Sequence, residues 1–134
     1  MAQTARALFK TVNLNPGTTA ITTTGNSAGV ALPDCQEAVV ILDYTVVTGT
    51  TPSLTPVVQA SPDGGATWAA ATVSAALIAQ TAAGRQVAHV TGLGSHTQQL
   101  RISSTVSGTT PSFTVVVEAI GLLPADSANV ADQI

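Results

Sequence analysis

The chain has 134 residues and a formal net charge of −3, from four Lys/Arg against seven Asp/Glu, and charged residues make up only 8% of it. That length fits one domain able to bury a core without staples. Four scattered cations (Arg6, Lys10, Arg85 and Arg101) cannot make a phosphate-tracking stripe, so no nucleic-acid partner is expected. No stretch approaches the ~18 apolar residues of a membrane-spanning helix, and no signal peptide is expected from the start of the chain.

Cys35 is the single cysteine, so no internal disulfide can form, and it reads as a small buried apolar side chain. Aromatics are 3% of the chain, which leaves the core to Val, Ile, Leu and Ala. A surface rich in Thr, Ser and Ala and poor in charge predicts that much of it is covered by partners.

Thr and Val dominate, and branching at Cβ suits a pleated strand better than a helix. Gly, Pro, Asn and Asp recur at roughly ten-residue intervals, the punctuation of an all-β sandwich or barrel. In chain order, residues 7 to 14 read as a first strand, closed by a turn at Asn15-Pro16-Gly17. Short strands follow over 18 to 24 and 29 to 32. Residues 38 to 47 (AVVILDYTVV) form the strongest strand, and the continuous apolar run in its first half predicts cover on both faces. Residues 53 to 60 follow, where Pro56 lacks a donor and predicts an edge or a bulge. The Ala-rich segment 69 to 83 reads as a turn or two of helix or as a long loop. Strands over 85 to 90, 98 to 106 and 112 to 120 complete the series, and residues 122 to 134 read as an extended tail.

An internal repeat is the most specific feature. Thr48 to Ala60 (TGTTPSLTPVVQA) recurs as Ser107 to Ala119 (SGTTPSFTVVVEA), each copy preceded by a strand. The chemistry of Gly49 and Pro52, and of Gly108 and Pro111, is that of a hairpin loop, with Gly for positive φ and Pro for fixed φ. Two such hairpins predict either two pseudo-equivalent halves or two hairpins at one end of a sandwich, their loops forming a paired surface.

The segment Ser61-Pro62-Asp63-Gly64-Gly65-Ala66-Thr67-Trp68 resembles the Asp-box of sialidase-type propeller blades. That likeness implies a hairpin turn, structural rather than catalytic: Asp63 binds backbone N–H groups, Gly64 and Gly65 take positive φ, and Trp68 plugs the core. A single copy cannot make a propeller. His89 and His96 lack metal-ligand spacing, with Cys35 and Asp43 the only further candidates, and they read as surface or turn residues. There is no nucleophile elbow, no phosphate-cradling Gly loop and no CxxC motif, so neither catalysis nor a cofactor or metal is expected.

From about Ala38 to Gly121 the chain resembles small β-sandwich virion proteins of tailed bacteriophages. The likeness is carried by VILDYTVV, Gly-Thr-Thr-Pro-Ser, the Ser-Pro-Asp-Gly-Gly-Ala-Thr-Trp turn, QLRISSTV, the second Gly-Thr-Thr-Pro-Ser and FTVVVEAIG. It implies an all-β fold: a single antiparallel β-sandwich, jelly-roll or Ig-like, over residues 15 to 121. Residues 1 to 14 would be an N-terminal arm or first strand, and 122 to 134 a C-terminal tail. It further implies a non-enzymatic head decoration (cement) protein, made in the host bacterial cytoplasm and placed on the capsid surface. Its partners would be the major capsid protein and copies of itself, most often as a trimer, with no nucleic acid and no membrane. The alternatives are a tail or neck component of the same fold, or a carbohydrate- or host-surface-binding module using the paired loops or Trp68.

Overall fold

The β-branched composition is realised without a helix: the computed structural model describes residues 9–123, and every regular element among them is a strand. These are β1 (Phe9–Asn15), β2 (Gly25–Asn26), β3 (Val30–Ala31), β4 (Glu37–Ser61), β5 (Ala69–Ala70), β6 (Thr72–Val73), β7 (Gly84–Thr91) and β8 (Gln99–Leu122). All strand ladders are antiparallel, in the order β1-β8-β4-β7-β6, with β2 and β3 joining β8 and β5 joining β4. The first-strand reading appears as β1. The proposed arm before it and the tail lie largely in residues 1–8 and 124–134, outside the described residues. The Ala-rich segment is loop with the two short strands β5 and β6.

The frame is one long ladder. β4 and β8 run side by side from Glu37↔Leu122 to Ser61↔Gln99. This corrects the hairpin reading of the repeat. The two Gly-Thr-Thr-Pro-Ser segments do not reverse the chain; each is a kink halfway along a continuous strand, and the two kinks face each other at Thr50↔Thr109. Gly49 and Gly108 have φ of 116° and 113°, and Thr51 and Thr110 have φ of 46° and 47°. A β-branched residue in the left-handed region is strained, so each kink is held by its partner rather than by local preference. The approach is close on both sides. A Cβ on Gly49 would lie 2.7 Å from the Thr110 carbonyl oxygen, and one on Gly108 would lie 2.6 Å from that of Thr51.

Of the two arrangements the repeat allows, the structure has the two pseudo-equivalent halves, and the equivalence runs well beyond the repeat. Gly49 and Gly108 are 59 residues apart, and so are Ile21 and Gln80, and Leu54 and Phe113. Ile21 bridges Phe113 through hydrogen bonds of 2.8 and 3.0 Å, and Gln80 bridges Leu54 through another pair of 2.8 and 3.0 Å. Likewise β1 flanks β8 as β5 flanks β4, and β2 with β3 flanks β8 as β7 flanks β4. A pseudo-twofold axis therefore passes between Thr50 and Thr109.

Beyond the kinks the sheet curls over, so that both halves of both long strands bury into one core. Leu42 and Tyr44 join Leu54 and Val58 of β4, and Leu100 and Ile102 join Phe113, Val115 and Val117 of β8. Cys35 is buried and free, packed near Gly121 and Leu32, and burial raises its thiol pKa. Pro56 does not lie on an edge strand, since β4 has neighbours on both sides, but it falls between the Leu54–Gln80 bridge and β5 on the flank away from β8. Leu54, two residues before it, turns its N–H to Gln80 and away from β8, so the Pro56 nitrogen faces the same flank and breaks no bond of the β4–β8 ladder.

Gly49→Ala and Gly108→Ala should each cost roughly 2–4 kcal/mol, from left-handed strain plus the clash with the facing strand. Gly64→Ala, where φ is 73° but a Cβ meets nothing within 4 Å, should cost only about 1–2 kcal/mol. Urea unfolding of the three variants checks the order.

Candidate functional site

Three features stand out on the surface: the crossing of the kinks, the Asp63 turn and the outward face of one half of the sheet. At the crossing, Thr50, Thr51, Thr109 and Thr110 are all exposed, so the two repeat copies do form one paired, hydroxyl-rich surface. Pro52 and Pro111 follow on its two sides and are half-buried.

The Asp63 turn sits at the far end of the β4–β8 ladder, away from the crossing. Asp63 Oδ1 accepts from the Ser61 hydroxyl at 2.7 Å and the Thr67 backbone N–H at 2.9 Å, and its Oδ2 accepts from the Thr67 hydroxyl at 2.6 Å. Ser61 Oγ in turn accepts from the Gly65 N–H at 2.8 Å. Gly64 and Gly65 have φ of 73° and 96°, as the motif requires. These hydrogen bonds to the ionised form lower the Asp63 pKa to about 2, and the Thr67 hydroxyl contributes most. The turn is tied to the segment before β8: Gly64 N–H donates to the Thr97 carbonyl at 3.0 Å, and Thr97 Oγ1 donates to the Pro62 carbonyl at 2.6 Å.

Trp68 departs from the core reading. It is half-buried and stands outside the core cluster. Its Nε1 donates to the Gly65 carbonyl at 3.1 Å, and the Arg101 guanidinium lies 4.2 Å from the ring centroid, itself donating to Gln59 Oε1 at 2.7 Å. Gly29 lies against the ring edge: a Cβ there would come within 2.8 Å of it. The indole is thus a surface clamp joining the turn to β8 and to the segment between β2 and β3.

The outward face carries what the motifs did not single out. Along Glu37–Tyr44 alternate residues are buried, which puts Val39, Ile41 and Asp43 outward. The register sets Ile41 beside Val87 and Glu118, and Val39 beside His89 and Ile120. Val87 is 56% exposed and Phe9, at the start of β1, 54%. An ion pair lies on this face, Arg85–Asp43 at 3.5 Å, and His89 Nε2 lies 3.1 Å from Glu37 Oε1. The corresponding face beyond the crossing is different: Thr55↔Thr105, Val57↔Ser103 and Gln59↔Arg101. One half of the pseudo-symmetric sheet therefore carries an apolar strip outside, bordered by Glu37, Asp43, Arg85, His89 and Glu118, where the other carries Thr, Ser, Gln and Arg with one exposed valine, Val57. The signal was in the sequence, in the unbroken run AVVIL, whose alternate residues serve core and outer face.

His96 pairs with Asp34 at 3.1 Å, so the two histidines have separate carboxylate partners. Among the described residues no group of three or more His, Cys, Asp or Glu is placed to hold a metal ion.

The Asp63 carboxylate titrates lower folded than unfolded, so it contributes stability above pH ~4 that is lost as pH falls through about 2. Asp63→Asn should flatten the acid limb of a stability-versus-pH curve in that window, read by thermal unfolding. Neither a protein-family model nor a curated protein sequence matches the chain.

Proposed function

We propose that this chain is a non-enzymatic structural protein of a tailed-bacteriophage virion, a head decoration protein that binds the outside of the major capsid lattice and stabilises it. The observation that carries the reading is the outward face of β1, β8, β4 and β7, where Val39, Ile41, Val87 and Ile120 lie side by side on a chain otherwise poor in charge. An apolar strip flanked by the Arg85–Asp43 ion pair suits burial against a neighbour. The likeness of the 38–121 segment to β-sandwich virion proteins supports the same setting. On this reading the curled sheet is a sandwich whose two layers meet at the crossing, and copies associate in a closed ring, most simply a trimer, because a repeated contact that closes does not run on into fibres.

A tail or neck component of the same fold would use the same face, and copy number per particle separates the two: hundreds for the head or tail tube, a dozen or fewer for the neck. A glycan-binding role through Trp68 has less support, since Arg101 covers one face of the ring.

Val87→Arg and Ile41→Arg place a charge on the outward face. Each should change stability by less than about 0.5–1 kcal/mol, since neither side chain belongs to the core cluster. Each should nevertheless abolish binding to purified heads, read by co-sedimentation. Thr105→Arg, on the polar face, should bind like the parent. Undiminished binding by both outward-face variants would remove this face from the interface.

A further inference from the structure

Among the described residues one long strand is bare along a whole flank. β1 stands at the end of the order β1-β8-β4-β7-β6 and pairs with β8 alone. β4 and β8 have partners on both flanks, and β7 carries β6 at Thr72↔Thr91 and Val73↔Val90. Across the pseudo-twofold axis the matching strand, β5, has 2 residues, where β1 has 7.

The registers show which main-chain groups β1 offers. Ser74 N–H donates to the His89 carbonyl at 3.0 Å, so odd-numbered residues of β7 turn their main-chain groups away from β4. That alternation carries through Ala38↔Val90, Val39↔Ile120 and Val12↔Ala119. Lys10 and Val12 therefore bond to β8, while Phe9, Thr11 and Asn13 point N–H and C=O out of the sheet. All three residues are exposed, and no main-chain partner meets them on that side among the described residues. Such an edge is a template for another strand, and proteins blunt it with proline, charge or a bulge. Here no proline falls within β1, Lys10 is its one charge, and the bulge comes only after Asn13.

We propose that β1 pairs with β1 of a second copy, antiparallel about a twofold axis at Thr11. A single bare edge is closed by its own copy, and such a contact ends at two chains instead of running on into fibres. Chemistry sets the register. With Thr11 opposite its copy, Phe9 faces Asn13, all three outward residues are used, and each facing pair exchanges two hydrogen bonds. Lys10 then lies opposite Val12, whereas an axis at Lys10 would set two ammonium groups face to face. The pairing also lengthens the apolar strip, because Phe9 and Thr11 stand beside Leu122 and Ile120 on the outward face. The contact belongs to the sheet edge, is separate from the ring proposed on the head, and does not depend on the capsid reading.

The test is sedimentation of the full chain, with amide exchange read by NMR. At about 100 μM the parent should sediment at twice the 13.3 kDa of one chain, since an edge contact this short binds in the micromolar range. The Thr11 and Asn13 amides should be protected at that concentration and exchange freely on dilution to monomer. Thr11→Pro removes an outward donor and no bond to β8, so the diluted variant should unfold within a few degrees of the parent and dimerise at least about tenfold more weakly. Thr11→Lys, which sets like charges face to face, should do the same and serves if the proline variant misfolds. Val87→Arg, on the outward face, should dimerise like the parent. A parent that stays monomeric, trimers without dimers, Thr11 and Asn13 protection that ignores concentration, or unchanged dimerisation in Thr11→Lys would each overturn the proposal and leave head binding to be judged separately.

Discussion

The close crossing of two kinked strands governs this molecule. At Thr50↔Thr109 the backbones of β4 and β8 approach so nearly that only glycine fits at 49 and 108. The positive φ of Thr51 and Thr110 is the local cost of turning each strand without ending it. Everything downstream follows from that bend. A straight pair of strands this long would leave one face of the sheet without cover. Bent at the middle, the pair brings Leu42 and Tyr44 into one core with Leu54, Ile102 and Val117, and the short strands then need only flank the edges.

Pseudo-symmetry supplies the frame, and departures from it supply what is specific. The two halves share backbone plan and kink chemistry, yet differ in which face is apolar and in how the core is filled. Val39, Ile41 and Val87 make an apolar strip on one outer face, where the matching face carries Thr55, Val57, Gln59, Arg101 and Ser103. Ser104 and Leu54 stand in one half where Tyr44 and Phe113 stand in the other. A duplicated scaffold keeps the fold while each copy of a position is free to change, and here both departures fall on the outer face or in the core rather than on the crossing.

The strands and their alternation were legible because β-branched runs with period-two burial report a pleated surface directly. The Asp63 turn was legible in detail, since the hydrogen bonds of the Asp63 carboxylate and the Ser61 hydroxyl are made within seven residues, from Ser61 to Thr67. The kinks were not, although their residues were noticed. Gly-Thr-Thr-Pro-Ser has the composition of a reverse turn, and what makes it a kink instead is the second copy lying opposite it, a contact spanning 59 residues. Trp68 was misplaced for the same reason: Arg101 and Gly29, which hold it at the surface, are distant in sequence. The extent of the pseudo-symmetry was concealed because outside the repeat, Thr48 to Ala60 and Ser107 to Ala119, the halves share mainly backbone pairing. Ile21 and Gln80 make the same bridge with unrelated side chains.

If the two kinks are one structural unit, their glycines are energetically coupled. A double-mutant cycle with Gly49→Ala, Gly108→Ala and the pair, read by urea unfolding, measures this directly. The account predicts that the second substitution costs at least about 1 kcal/mol less in the presence of the first, because a crossing already forced open accommodates the second Cβ. Additivity within about 0.5 kcal/mol would mean that each kink stands alone, and would contradict it.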